Sequence, residues 1–133
     1  MITFDRDIIT KLIEGNEQII GHIEGYSGEE WTIPALVAWE SYESYDSRTE
    51  MVRAQNKLQS EFDRIIAFSD DVALEAAYLD ERLQLQGVSL DTVDLLNLAT
   101  AYEDGGKFVT HNKRDFDKGP LHDLADVDVL YTE

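Results

Sequence analysis

"GGKFVTHNKRDFDKG", residues 105–119, decides how the chain is read. Its run Lys107-Phe108-Val109-Thr110 predicts a short strand, and Gly105-Gly106 before it predicts a helix stop. Where that strand ends, His111, Asn112, Lys113, Arg114 and Asp115 crowd together, followed by Phe116. Asn and Asp favour turns, so an exposed turn accounts for the cluster locally. The other reading is chemical: acid and amide at a strand end, with two cations where an anion could arrive.

Working outward, short strands alternate with helices. Ile2-Thr3-Phe4, Trp31-Thr32-Ile33, Arg64 to Phe68, Phe108 to Thr110 and Val127 to Tyr131 read as strands. Ile8, Ile9, Leu12 and Ile13 keep a helical period until Gly15, and Asn16 caps a second helix carrying Ile19, Ile20 and Ile23. Pro34 suits the first turn of a helix from Ala35 to about Tyr45, and Met51, Ala54, Leu58 and Phe62 mark one face of the next. Ser69 or Asp70 caps a long helix reaching Gly87, and Asp91 caps another from Thr92 to Glu103. The stretch from Lys118 to Asp126 reads as the loosest. This alternation predicts an α/β chain, one domain over residues 1–133, with a central, mainly parallel five-stranded sheet flanked by helices. In such folds the functional crevice lies beyond the carboxyl ends of the strands.

Composition narrows the class. The 133 residues suffice for one core, and 43% hydrophobic content excludes a disordered chain. No apolar run approaches the roughly 20 residues that span a bilayer, and MITFDRD carries an acid by residue 5, unlike a signal peptide. The absence of cysteine excludes disulfides and thiolate metal sites and fits the cytoplasm. The 28 acids against 11 Lys and Arg give a net charge of −17, spread along the whole chain. That pattern predicts a surface adapted to a salt-rich cytoplasm, the alternative being an acidic protein with a basic partner.

Some acids do not read as surface. Asp5 and Asp7 follow the first strand, where Asp5 also suits a helix cap. Glu40 interrupts the apolar run Ala35-Leu36-Val37-Ala38-Trp39; inside a buried helix it must be paired, protonated or metal-bound, and at its edge it reaches solvent. Asp91 and Asp94 both suit a helix start, with Leu95, Leu96, Leu98, Ala99 and Tyr102 as core beyond them. A right-handed parallel sheet can gather Asp5, Glu40, Asp94 and Asp115 at one edge. Oxygen-only ligands select hard cations such as Mg²⁺ or Mn²⁺. His22, His111 and His122 show no zinc-type spacing, and neither a phosphate-binding glycine loop nor a nucleophile elbow occurs.

"ITFDRDIITKLIEG", "TIPALVAWESYES", "VSLDTVDLLNLATAYEDGG" and "KFVTHNKRDFDK" resemble, in order, the four motifs of PIN-domain ribonucleases, most closely the VapC toxins of toxin–antitoxin pairs. The most specific parts are Asp94 with Ala99 and Ala101, and Val109 to Phe116. The first motif departs from the family's Asp-Thr-Asn, having Asp5-Arg6-Asp7. The resemblance implies Asp5, Glu40, Asp94 and Asp115 as metal-binding, catalytic acids. Asn112, Asp7 and Asp91 would support them, and Arg6, Lys113 and Arg114 would contact RNA. It further implies Mg²⁺- or Mn²⁺-dependent hydrolysis of RNA phosphodiesters, a homodimer, and a cognate antitoxin. For the dimer surface, the face of Met51, Leu58 and Phe62 and that of Ile9, Ile13 and Ile20 are candidates. Three other readings compete. A phosphoacceptor signalling domain needs a Lys at its last strand, which Val127 to Glu133 lacks. A catalytically weak PIN-like interaction module draws support from Arg6, and a non-toxin RNA-processing nuclease shares the motifs.

Overall fold

The computed structural model describes residues 1–132. Five short strands are present: β1 (Ile2–Phe4), β2 (Trp31–Pro34), β3 (Arg64–Ile66), β4 (Lys107–Thr110) and β5 (Val127–Val129). They form one sheet in the order β3-β2-β1-β4-β5, and every pairing is parallel. Eight helices connect them: α1 (Arg6–Ile13), α2 (Glu17–Ile23), α3 (Ala35–Tyr42), α4 (Arg48–Glu61), α5 (Asp70–Leu85), α6 (Thr92–Asp104), α7 (Lys113–Phe116) and α8 (Gly119–Leu124). The α/β class and the five-stranded sheet flanked by helices are as the alternation predicts.

Period-two alternation splits the core between the two faces of the sheet. Phe4 and Val109 join Ile8, Ile19, Ile33, Val37 and Phe62 in one cluster, beneath α1 to α4. Phe108 joins Leu79, Leu83, Leu98, Phe116 and Leu121 in the other, beneath α5 to α8. Thr3, between Ile2 and Phe4, is fully buried, and its hydroxyl lies 2.9 Å from that of Thr32. At the far end of the sheet, Gly105 closes α6 at φ +83°. A Cβ at Gly106 would come within 2.8 Å of Met1 and 2.9 Å of Thr3, so the helix stop is also a close approach to β1.

Several boundaries differ from the sequence reading. Pro34 ends β2 instead of entering the helix, and α3 stops at Tyr42. The stretch from Lys118 to Asp126 contains α8, anchored by fully buried Leu121. The turn after β4 is the four-residue α7, capped by Asn112. The two candidate dimer faces are largely core: Ile9, Leu58 and Phe62 are buried, whereas Ile13 is 67% exposed.

Because 28 acids outnumber 11 Lys and Arg, most acids have no basic partner. Their repulsion is felt over a Debye length of about 10 Å at 0.1 M salt and about 3 Å at 1 M. The melting temperature is therefore expected to rise by about 10 °C from low salt into molar KCl, equivalent to a few kcal/mol. A flat or falling curve would discard the salt-adapted surface.

Candidate metal centre

The central strand sets the position of the first acid. Asp5 follows β1, and its N–H donates to the Val109 carbonyl at 2.9 Å, extending the ladder by one bond. Its Oδ1 accepts from the Arg6 N–H at 2.8 Å and so caps α1, while Oδ2 accepts from the Thr110 hydroxyl at 2.8 Å. The helix-cap and site readings of Asp5 are thus one arrangement. Thr110 is itself oriented by the Asn112 N–H, which donates to its Oγ1 at 3.1 Å. Asp5 is buried, and burial together with the charge of Asp7 pushes its carboxyl up to about 7. Both oxygens of Asp7 accept from the His111 N–H at 3.2 Å, and burial raises this carboxyl also.

Glu40 arrives on α3 from the neighbouring strand β2. Its Oε1 accepts from Asn97 Nδ2 at 3.2 Å, and its Oε2 lies 4.0 Å from Arg6 Nη1. Burial raises its carboxyl against the lowering effects of Asn97 and Arg6. Glu40 is therefore partly paired, between the two extremes its sequence context allowed. Asn97 lies within the apolar stretch of α6, is 1% exposed, and its Oδ1 has no hydrogen-bond partner among the described residues.

The third and fourth acids come from α6 and α7. The N-terminus of α6 lies at the carboxyl edge of the sheet, because the helix ends where β4 begins. Asp91 holds the cap position, yet its side chain makes no capping hydrogen bond. Instead, carboxylate oxygens of Asp91, Asp94 and Asp115 lie within 4.8 Å of one another. Burial and the charge of Asp115 push the Asp94 carboxyl up to about 6. Asn112 fixes Asp115 twice: Nδ2 donates to Asp115 Oδ2 at 2.9 Å, and Oδ1 accepts from the Asp115 N–H at 3.2 Å.

The sequence-predicted acids thus fall into two overlapping groups that share Asp94. Asp5, Asp7, Glu40 and Asp94 line an open cleft of about 330 Å³, with Arg6, Lys11 and Asn112 on its wall. Asp91 and Asp115 stand beside Asp94. Arg114 is 90% exposed, with its Nε 3.6 Å from Asp115. Lys113 turns toward Tyr131, its ammonium 5.6 Å from the ring centroid. Sequence reasoning missed Thr110 and Asn97, which hold Asp5 and Glu40. The signal for Asn97 was available: a lone amide in an apolar helix, three residues after Asp94 and so on the same face.

This donor set fits a hard divalent cation. The converging donors are carboxylate oxygens, and the Asp5, Asp7, Glu40 and Asp94 carboxyls are raised first by burial, with Asp7 adding to the rise at Asp5 and Asp115 at Asp94. No histidine joins the set: His22 pairs with Asp128, His122 with Asp117, and the His111 ring faces Thr132.

A family model for the PIN domain matches residues 2–120. Among solved structures, the chain is similar to a toxin–antitoxin complex from Klebsiella pneumoniae, with a TM-score of 0.77 and 22% identity over 100% of both chains. It is similar to FitAcB from Neisseria gonorrhoeae, with a TM-score of 0.74 and 20% identity over 98% of this chain and 97% of that one. It is also similar to DNA-bound VapBC from Salmonella typhimurium, with a TM-score of 0.74 and 15% identity over 96% of each. No curated protein matches the chain.

Proposed function

We propose that this chain, which belongs to the PIN-domain family, is a Mg²⁺- or Mn²⁺-dependent endoribonuclease and the toxin of a toxin–antitoxin pair, acting in the cytoplasm. The observation that carries the reading is that Asp5, Glu40 and Asp94 line one cleft at the carboxyl edge of the sheet, while Asp91 and Asp115 bring carboxylate oxygens within 4.8 Å of Asp94. The similar folds of toxin–antitoxin complexes support the toxin assignment and a cognate antitoxin as partner. No helix among the described residues is long and apolar enough to cross a membrane.

In this reading, Asp5, Glu40, Asp94 and Asp115 hold the cation. Held there, a divalent ion would supply positive charge for the phosphate and would lower the pKa of a nearby water. The chain's own contribution is position. Thr110 and the Arg6 N–H fix both oxygens of Asp5, Asn97 orients Glu40, and Asn112 orients Asp115. Arg6 and Lys11 offer positive charge at the cleft wall to a phosphate entering between acids.

The test is cleavage of RNA in molar KCl with Mn²⁺ and with a chelator. Activity that the chelator removes supports the enzyme; none with any divalent ion would refute it. The second reading, a catalytically weak interaction module, draws on the Arg6 guanidinium beside Glu40, where it competes with a cation for that carboxylate. A homodimer is expected in the same buffer, and a monomeric mass at micromolar concentration would count against it.

Asn97→Leu separates the supporting residues from the acids. Leu keeps the branching of Asn with more volume and removes a buried amide whose Oδ1 has no partner among the described residues; crowding offsets that gain, so the fold should survive with little change in stability. Affinity for Mn²⁺ should fall by about 10–100-fold, the usual effect of losing a partner that orients a metal ligand. Unchanged affinity would show that the bond between Asn97 and Glu40 does not position that acid.

A further inference from the structure

The acid cluster poses a problem for its substrate. RNA affinity normally rests on Lys and Arg neutralising phosphates, and this chain carries a net charge of −17. Beyond the few cations at the site, a strand drawn to it gains from a source that does not depend on net charge. Base stacking on an aromatic ring is such a source, because every base has an apolar face and stacking is little screened by salt.

Tyr131 fits that role. The residue is 58% exposed, although the residues on either side of it are held. Leu130 is 2% exposed and its N–H donates to the Thr110 carbonyl at 2.8 Å. The Thr132 hydroxyl lies 2.9 Å from His111 Nε2. Both anchors, Thr110 and His111, belong to the strand end that also orients Asp5 and Asp7. An exposed ring whose backbone is fixed on both sides loses little freedom on binding, which is the economical way to gain affinity. Lys113 places its ammonium over one face of the ring, 5.6 Å from the centroid, so that a base would stack on the opposite face, and the next residues of α7 lead to Asp115. A cation and an aromatic therefore stand together at the start of the helix that carries Asp115, matching one nucleotide's phosphate and base.

We propose that Tyr131 is a stacking platform for a base of the RNA substrate, with Lys113 meeting the adjacent phosphate. Paired bases are already stacked within a duplex and cannot lie on the ring without unpairing. This proposal rests on the ribonuclease reading above.

The test compares wild type with Tyr131→Ala, Tyr131→Leu and Tyr131→Trp on an unpaired RNA and on the same sequence within a hairpin stem, with Mn²⁺ in molar KCl. KM for the unpaired RNA should rise about tenfold or more in the Ala and Leu variants, the scale expected for one stacked base, and return in the Trp variant. The rate constant at saturation should hold within about twofold, since the ring touches no reacting atom. An RNA carrying 2-aminopurine, whose emission falls on stacking, should be quenched by wild type and by Tyr131→Trp but not by Tyr131→Ala. Equal KM and equal quenching in all four proteins would overturn the platform while leaving the ribonuclease intact. Quenching without cleavage would instead remove the enzymatic reading and keep the binding site. A change in solution mass in Tyr131→Ala, with KM unmoved, would show that the ring faces a second copy of the chain, also overturning the proposal.

Discussion

Asp94→Asn is expected to abolish Mn²⁺-dependent RNA cleavage and most of the thermal stabilisation that Mn²⁺ gives the wild-type protein. Asp94 belongs both to the acids of the cleft and to the group with Asp91 and Asp115, so its loss affects both. Asn is nearly isosteric and suits a helix start, and the fold should survive. Without metal the variant should be as stable as wild type or slightly more so, because the Asp94 carboxyl is raised to about 6 by burial first and by Asp115 next. With metal the order should reverse. A ligand that binds only the folded state stabilises it by about 2.7 kcal/mol at a hundred times its dissociation constant, and the variant should lose most of that gain. Cleavage should fall by about three orders of magnitude, as expected when several kcal/mol of charge stabilisation at the phosphate are lost. If Asp94 were only a helix-start acid, Asn would weaken the helix slightly and metal would stabilise both proteins equally. Thermal melts of both proteins, with and without Mn²⁺ in concentrated KCl, distinguish the two; equal metal shifts would remove Asp94 from the site.

Much of this site was legible because its acids lie at places where sequence pattern is informative. A run such as Ile2-Thr3-Phe4 ends at Asp5, and the run before Thr110 ends at the Asn112–Asp115 cluster, so strand ends flag them directly. Glu40 stood out as a charge in an apolar helix, and Asp94 with Ala99 and Ala101 through the resemblance to a PIN-domain motif. The role of Asp91 was harder to read. A helix-start Asp normally caps, and only the fold shows that its side chain leaves the cap to join Asp94 and Asp115. Thr110 and Asn97 were hidden for another reason. Thr suits a strand, so Thr110 breaks no local pattern, and Asn97, though a lone amide among leucines, gives no sign of which acid it holds; what matters is a partner 105 residues away for Thr110 and 57 for Asn97. The same limit applies to the helix boundaries. That α3 ends at Tyr42 and that α8 forms beyond Lys118 depend on packing, such as that of Leu121 against Phe108 and Phe116 in one cluster, more than on local propensity.

Affinity for Mn²⁺ is expected to rise about a hundredfold between about pH 5.5 and about pH 7.5 and then to level off. A cation binds carboxylates only after their protons leave, so each displaced proton makes affinity climb about tenfold per pH unit below that group's pKa. Asp5 titrates near 7 and Asp94 near 6, so Asp5 contributes over most of the interval and Asp94 over its lower part. The metal-free protein should move the opposite way. Both carboxyls are raised from 3.8, so between about pH 4 and pH 7 the folded state holds more protons than the unfolded chain. Their contribution to stability is therefore complete below about pH 4, is lost as pH rises, and is gone above about pH 7. Mn²⁺ should cancel this loss by replacing the missing protons as the counter-charge, so the melting curves with and without metal diverge as pH increases. Calorimetric titration at about pH 6 in two buffers of different ionisation enthalpy counts the protons released. An Mn²⁺ affinity that stays flat from about pH 5.5 to about pH 7.5, with no buffer dependence, would mean that the ion binds away from Asp5 and Asp94. The acids at the carboxyl edge would then be a cluster without a cation, and the case for the interaction module beside Arg6 would strengthen.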